Sequence, residues 1–148
     1  MTEATITQYI ADTFENTYVV ESGGNKFFFY AALIGEQNNF PFITLVVSDE
    51  YDQFSDLNRP EVFRLNIGVS KATFKSLFGD DSKTKEYDFT ALDKLMPHPV
   101  YGNMYWLCVL NPADNTVEIV KTLLAEAYEA DKQKQETRAA ASSKPSTA

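Results

Sequence analysis

One cysteine, one histidine and one tryptophan in 148 residues exclude much chemistry at once. Cys108 alone closes no intramolecular disulfide, and with His98 as its only soft partner it cannot complete a structural zinc site. It lies in the apolar run MYWLCVL, where a small buried hydrophobe is the reading preferred over a reactive thiol. Glycine is scarce too. Gly23-Gly24 precedes a β-type run rather than a helix, so the chain lacks the loop-to-helix context of a phosphate-cradling motif. No apolar run approaches the ~18 residues of a membrane span, and no basic, apolar leader opens the sequence. A cytoplasmic location without membrane partners is therefore expected, and no cofactor is implied.

Positive charge is sparse where a fold can form. The formal net charge is -8, but the segment 131–148 holds Lys132, Lys134, Arg138 and Lys144 against Asp131 and Glu136, which leaves residues 1–130 at -10. A body of that charge repels phosphate backbones and anionic lipid, and no basic stripe with interleaved aromatics offsets it. Nucleic acid is disfavoured as a partner.

What is present is apolar and aromatic. Hydrophobic residues make up 44% of the chain, with eleven Phe and eight Tyr, enough for one aromatic-rich core in a chain of single-domain length. A globular domain over residues 1–130 and a disordered polar tail over 131–148 are expected.

The patterning predicts the elements. Ile6, Tyr9, Ile10, Thr13 and Phe14 fall on one helical face within Thr2–Phe14. Tyr18–Val20 and Phe27–Tyr30 flank Gly23-Gly24-Asn25 as a hairpin. Gly35–Asn39 reads as a turn and Pro41–Val47 as a central strand. Phe63–Val69 alternates strictly, with Arg64 and Asn66 on the face opposite Phe63, Leu65, Ile67 and Val69. Ser70 caps a short helix that Gly79 ends. After a charged loop over Asp80–Glu86, the spacing of Phe89, Leu92, Leu95 and Met96 predicts one or two helical turns stopped by Pro97. Met104–Leu110 reads as the last strand. Asp114 or Asn115 should cap a final helix whose apolar face runs to about Glu129. The sum is an α+β fold with a mainly antiparallel sheet of about five strands and helices packed on one face.

Candidate chemistry gathers in Asp49–Val69. Asp49, Glu50, Asp52 and Asp56 crowd together, but their spacing lacks the glycine and terminal glutamate of a calcium loop, so no metal site is assigned. Asp56 can instead cap its own turn and pair with Arg59 or Arg64. Those two arginines are either ion-paired internally or open to an anion. His98, between Pro97 and Pro99, is either a packed loop residue or a general base oriented by Asp52 or Asp56. A triad through Ser55 would lack the usual elbow sequence. Trp106, Tyr101 and Tyr105 either pack or line an amphipathic pocket.

The strings YDQFSDLNRPEVFRLNIGV, DFTALDKLMPHPVYG and WLCVLNP resemble those of a family of small proteins known only as a domain of unknown function, over residues 1 to about 130. The layout, with one N-terminal helix and a final strand and helix, is also similar to the MmcQ/YjbR-like proteins with their CyaY-like α+β fold. The first resemblance implies a shared patch from Tyr51, Asp52, Ser55, Asp56, Arg59, Pro60, Arg64 and Asn66 together with His98, Pro99, Tyr101, Gly102 and Trp106, and it brings no activity. The second would suggest DNA binding, which the charge opposes. Two classes of function follow. One is a small-ligand or protein-binding module with a polar pocket of Asp52, Asp56, Arg59, Arg64, Asn66, His98 and Tyr101 under Trp106. The other is a hydrolase or isomerase with His98 as general base. A structural or partner-regulating role through exposed aromatics or a sheet edge is a third. Whether the protein is an enzyme stays open on sequence grounds.

Overall fold

A computed structural model describes residues 1–31, 40–80 and 86–143. The turn expected at Gly35–Asn39 and most of the loop expected at Asp80–Glu86 lie outside the described residues. Helix α1 (Glu3–Thr13) starts at a reciprocal cap between Thr2 and Thr5 and buries Ile6 and Ile10. Strands β1 (Thr17–Ser22) and β2 (Asn25–Tyr30) form the expected hairpin. Its two-residue turn needs left-handed backbone at both centres, and Gly23 (φ 59°) and Gly24 (φ 84°) supply it without a Cβ penalty.

Strand β3 (Ile43–Val46) and strand β4 (Arg64–Gly68) follow. Helix α2 (Lys71–Phe78) is capped by Ser70 and ended by Gly79 at φ 79°, as the spacing predicted. The Glu126 carboxylate adds acceptors for the Ser70 amide and the Thr73 hydroxyl. Strand β5 (Met96–Pro97), a 3-10 turn at Gly102–Met104, strand β6 (Trp106–Leu110) and helix α3 (Val117–Ser143) complete the order. Among the described residues the sheet is open, six-stranded and antiparallel, in the order β1-β2-β3-β4-β6-β5.

The three helices of the described residues pack on one face. Ile6, Ile10, Phe74, Phe78, Val120, Leu124 and Tyr128 join Phe28, Ile43, Leu45, Leu65, Ile67, Leu107 and Val109 in the main core. Phe14 stacks on Tyr128 with ring centroids 4.8 Å apart. A smaller cluster of Val46, Leu57, Met96, Cys108 and Leu110 lies on the other face, where the loop between β3 and β4 folds over the sheet.

Four expectations are corrected. The segment from Phe89 to Met96 forms no helical turn. Met96-Pro97 pairs with Cys108-Leu107 as a sixth strand. Phe89 and Met96 serve the small cluster, Leu95 the main core, and Leu92 is exposed, so no helical stripe exists for them to share. Helix α3 runs well past Glu129, because Gln135 is buried and Glu136 accepts the Tyr30 hydroxyl hydrogen. Those contacts lie beyond the helix end expected from the sequence.

Neither Asp114 nor Asn115 caps α3. The Asp93 carboxylate, held at φ 54°, accepts from the amides of Ala113 (2.8 Å) and Asn115 (3.0 Å) and from the Thr116 hydroxyl. Desolvation pushes its pKa up, but these donors outweigh that and hold it below the usual carboxylate range. Asp93→Ala should cost about 1–2 kcal/mol through the lost cap, measured by urea unfolding, whereas Asp114→Ala should change stability little.

Candidate functional site

Alternation in β4 sends Arg64 and Asn66 away from the helices, to the face where the loop 47–63 lies. Arg64 is only 2% exposed. Its guanidinium takes Asp52 as a fork, Nη1 to Oδ1 at 2.9 Å and Nη2 to Oδ2 at 2.7 Å. Nη1 also donates to the Ser55 hydroxyl at 3.0 Å, and Nε donates to Asn66 Oδ1 at 3.0 Å. Asn66 passes the chain on to the Thr44 hydroxyl at 2.9 Å. Burial alone would raise the Asp52 pKa, but the hydrogen bonds and charge of Arg64 reverse the sign and hold it below the usual range. A buried charge of either sign is costly alone, so this fork is what permits both to stay ionised.

The rest of the acidic loop is divided among separate tasks. Asp49 Oδ1 accepts the Leu57 amide hydrogen at 2.9 Å. Asp56 stands at φ 50° with its carboxylate exposed, 3.9 Å from Arg59. Arg59 spends its donors on the carbonyls of Asp56, Ser55 and Thr90, tying the loop to the linker before β5. Among the described residues, no group of three or more His, Cys, Asp or Glu side chains is placed to hold a metal ion.

His98 is opposite Trp106 in the β5–β6 register, with its amide donating to the Trp106 carbonyl at 2.9 Å. It is 6% exposed. Its Nδ1 accepts the amide hydrogens of both Val100 and Tyr101 at 3.0 Å. The one basic lone pair of the ring is thereby occupied, and the proton of the neutral imidazole sits on Nε2. Burial first, and then the positive charge of Arg64, lower its pKa to about 4. The ring is held neutral with its acceptor nitrogen engaged by two amides, which leaves no free lone pair for a general base. Burial likewise pushes the Cys108 thiol up to about 12.

The predicted residues are therefore brought together only in part. Asp52, Arg64, Asn66 and His98 share the helix-free side of the sheet. Asp56 and Arg59 belong to the loop's own scaffold. The carboxylate expected beside the His98 ring makes no hydrogen bond to it, and Ser55 is fully buried under Arg64, so no triad is assembled. Tyr101 packs on His98 with centroids 5.0 Å apart, and Trp106 lies over Gly68, where a Cβ would come within 3.1 Å of its ring. Tyr105 turns the other way, against Phe74. A small groove among the described residues, lined by Lys71, Phe74, Lys75, Asp80, Asn103 and Tyr105, takes in Tyr105 but none of the other predicted site residues.

Sequence reasoning missed a neighbouring feature. Tyr18 stacks on Phe29 at 5.3 Å, and Phe27 meets Tyr51 edge-on at 6.2 Å. In the run Phe27–Tyr30 every position is aromatic, so the alternation that sends Phe27 and Phe29 to the helix-free face leaves no mark in the pattern. The open hairpin signal and the exposed tyrosines were the only clue.

Fold and site together define a small α+β domain with helices on one face of an open antiparallel sheet and a buried, ion-paired polar network on the other. The chain belongs to the family of unknown function DUF6194, whose model matches residues 1–140. No curated protein matches the chain, and no solved structure does either. No described helix is long and apolar enough to cross a membrane.

Breaking the fork should be costly. Arg64→Leu and Asp52→Leu should each lose about 3–5 kcal/mol, because each strands the other's charge, while the double variant should lose clearly less than the sum. Urea unfolding of the four proteins measures the coupling. His98 gives a separate signature. With a folded pKa near 4 and an unfolded value near 6.5, the unfolded chain binds the extra proton between these limits. Its contribution is full above pH ~6.5 and is lost as pH falls toward 4, with a slope of at most about 1.4 kcal/mol per pH unit. His98→Asn, which keeps an acceptor for the two amides, should flatten that part of a stability profile followed by chemical denaturation.

Proposed function

We propose that this domain is a binding module that recognises a positively charged segment of a partner protein over the helix-free face of its sheet. The observation that carries this reading is the aromatic surface of that face: Tyr18 and Tyr51 are 44% and 57% exposed, and each is held by a ring contact to a β2 phenylalanine. Ring surface that is both exposed and immobilised is suited to contact, since little side-chain entropy is lost on binding. The charge of the body, -10 over residues 1–130, favours a basic partner and opposes nucleic acid.

The polar set takes a supporting role in this reading. Arg64 uses four hydrogen bonds inside the protein, so it acts as a brace for the loop bearing Tyr51 and Asp52 rather than as a receptor for a ligand carboxylate. Enzymatic use of His98 as a base is disfavoured by the two amides on Nδ1. The likeness in layout to MmcQ/YjbR-like proteins rests on element order and supports no part of the proposal.

A photo-crosslinking residue at position 51, introduced in cells of the source organism, should give discrete protein adducts, whereas the same residue at Ile119 on the helical side should not. Adducts absent at position 51, or equal from both positions, would refute the reading.

A further inference from the structure

The two edges of the sheet differ. Strand β5 has two residues, one of them Pro97, and is thereby closed to further pairing. Strand β1 has six residues, TYVVES, with no lysine, no proline and no bulge, since its register with β2 is one-to-one from Thr17↔Tyr30 to Ser22↔Asn25. Of the devices that normally blunt an edge, β1 carries only one charge, that of Glu21 near its end.

The direction of its free hydrogen-bonding groups follows from the turn. A two-residue hairpin makes Ser22 and Asn25 a hydrogen-bonded pair, and the Ala31 amide donating to the Asn16 carbonyl continues the same phase at the far end. Even-numbered residues of β1 therefore bond to β2, and the N–H and C=O groups of Thr17, Val19 and Glu21 point outward. Among the described residues these groups have no hydrogen-bond partner. The side chains around them, Tyr18, Val19 and Val20, are 41–45% exposed.

We infer that β1 is the docking edge for an extended, basic strand of a partner protein, which adds to the sheet as a seventh strand. The inference deepens the function proposed above and rests on it. Charge selects the occupant. Glu15 and Glu21 flank the edge, and the nearest cation, Lys26, is already shared between Glu3 at 3.6 Å and Glu21 at 3.4 Å. A second copy of the chain would bring a net charge of -8 against the same charge, whereas a strand carrying lysine or arginine would relieve the excess. The pleat sorts its side chains: those on the helical side meet Val19 and Glu21 and should be basic, and those on the helix-free side meet Tyr18 and Val20 and should be β-branched or aromatic.

The probe is a seven-residue peptide alternating lysine with valine and tyrosine, compared with its glutamate-for-lysine counterpart. Hydrogen exchange by NMR should show the Val19 and Glu21 amides slowed at least about tenfold by saturating lysine peptide and unaffected by the glutamate peptide. Val19→Pro removes one outward donor and no bond to β2, and should abolish the protection. Val19→Lys, which keeps the donor and adds a gatekeeping charge, should weaken binding about tenfold or more with an unchanged melting curve. Unchanged exchange with the lysine peptide, or equal effects of the two peptides, overturns the inference. So does a dimer detected by sedimentation whose Val19 and Glu21 amides already exchange slowly without peptide. Adducts from position 51 without protection at Val19 would overturn the edge alone, and protection at Val19 without those adducts would overturn only the reading of the face.

Discussion

The fork between Arg64 and Asp52 is the interaction on which the helix-free side of this protein depends. One end is fixed in a central strand, and the other stands in a stretch of loop that is mostly polar. Leu57 anchors that loop in the small apolar cluster, but burial of one side chain does not position the polar residues on either side of it. An arginine that must be neutralised wherever it is buried can do so, because the cost of leaving either charge unpaired exceeds the cost of ordering the loop. Ser55, Asn66 and Thr44 then take their positions as acceptors and donors within the same network.

That arrangement explains why the two faces differ in kind. The helical face is closed by apolar packing, with Leu65, Ile67 and Leu107 fully buried. The other is closed at one end by an electrostatic contact and left open at β1 and β2, where Tyr18, Phe27 and Phe29 remain as surface. An open sheet with one capped edge and one bare edge is a polarised object, and its chemistry is concentrated toward the bare side.

Much of this was legible in the sequence wherever the signal is local. The alternation of Phe63–Val69 placed Arg64 and Asn66 on a shared face, Ser70 and Gly79 bounded a helix, and Gly23-Gly24 made a hairpin. The choices made over distance were not legible. Asp52 and Asp56 are equally good partners for Arg64 on paper, and only the path of the loop, with Asp56 in left-handed backbone and Arg59 stapled to Thr90, selects Asp52. Met96-Pro97 as a strand required knowing that β6 had a free side. The His98 ring looked poised for proton transfer because neutral imidazole is the common catalytic form, and nothing local announced that two amides take up its lone pair. The length of α3 depended on Tyr30, more than a hundred residues earlier.

Trp106 gives the molecule a property of another sort. The sole indole of the chain rests half-buried on Gly68, opposite His98 in the register, on the helix-free face beside the short edge strand β5. Its emission therefore reports on that face and on no other part of the protein. A change in the wetting of the sheet there, or in the charge of the neighbouring imidazole, is written directly into an intrinsic spectroscopic signal that needs no label.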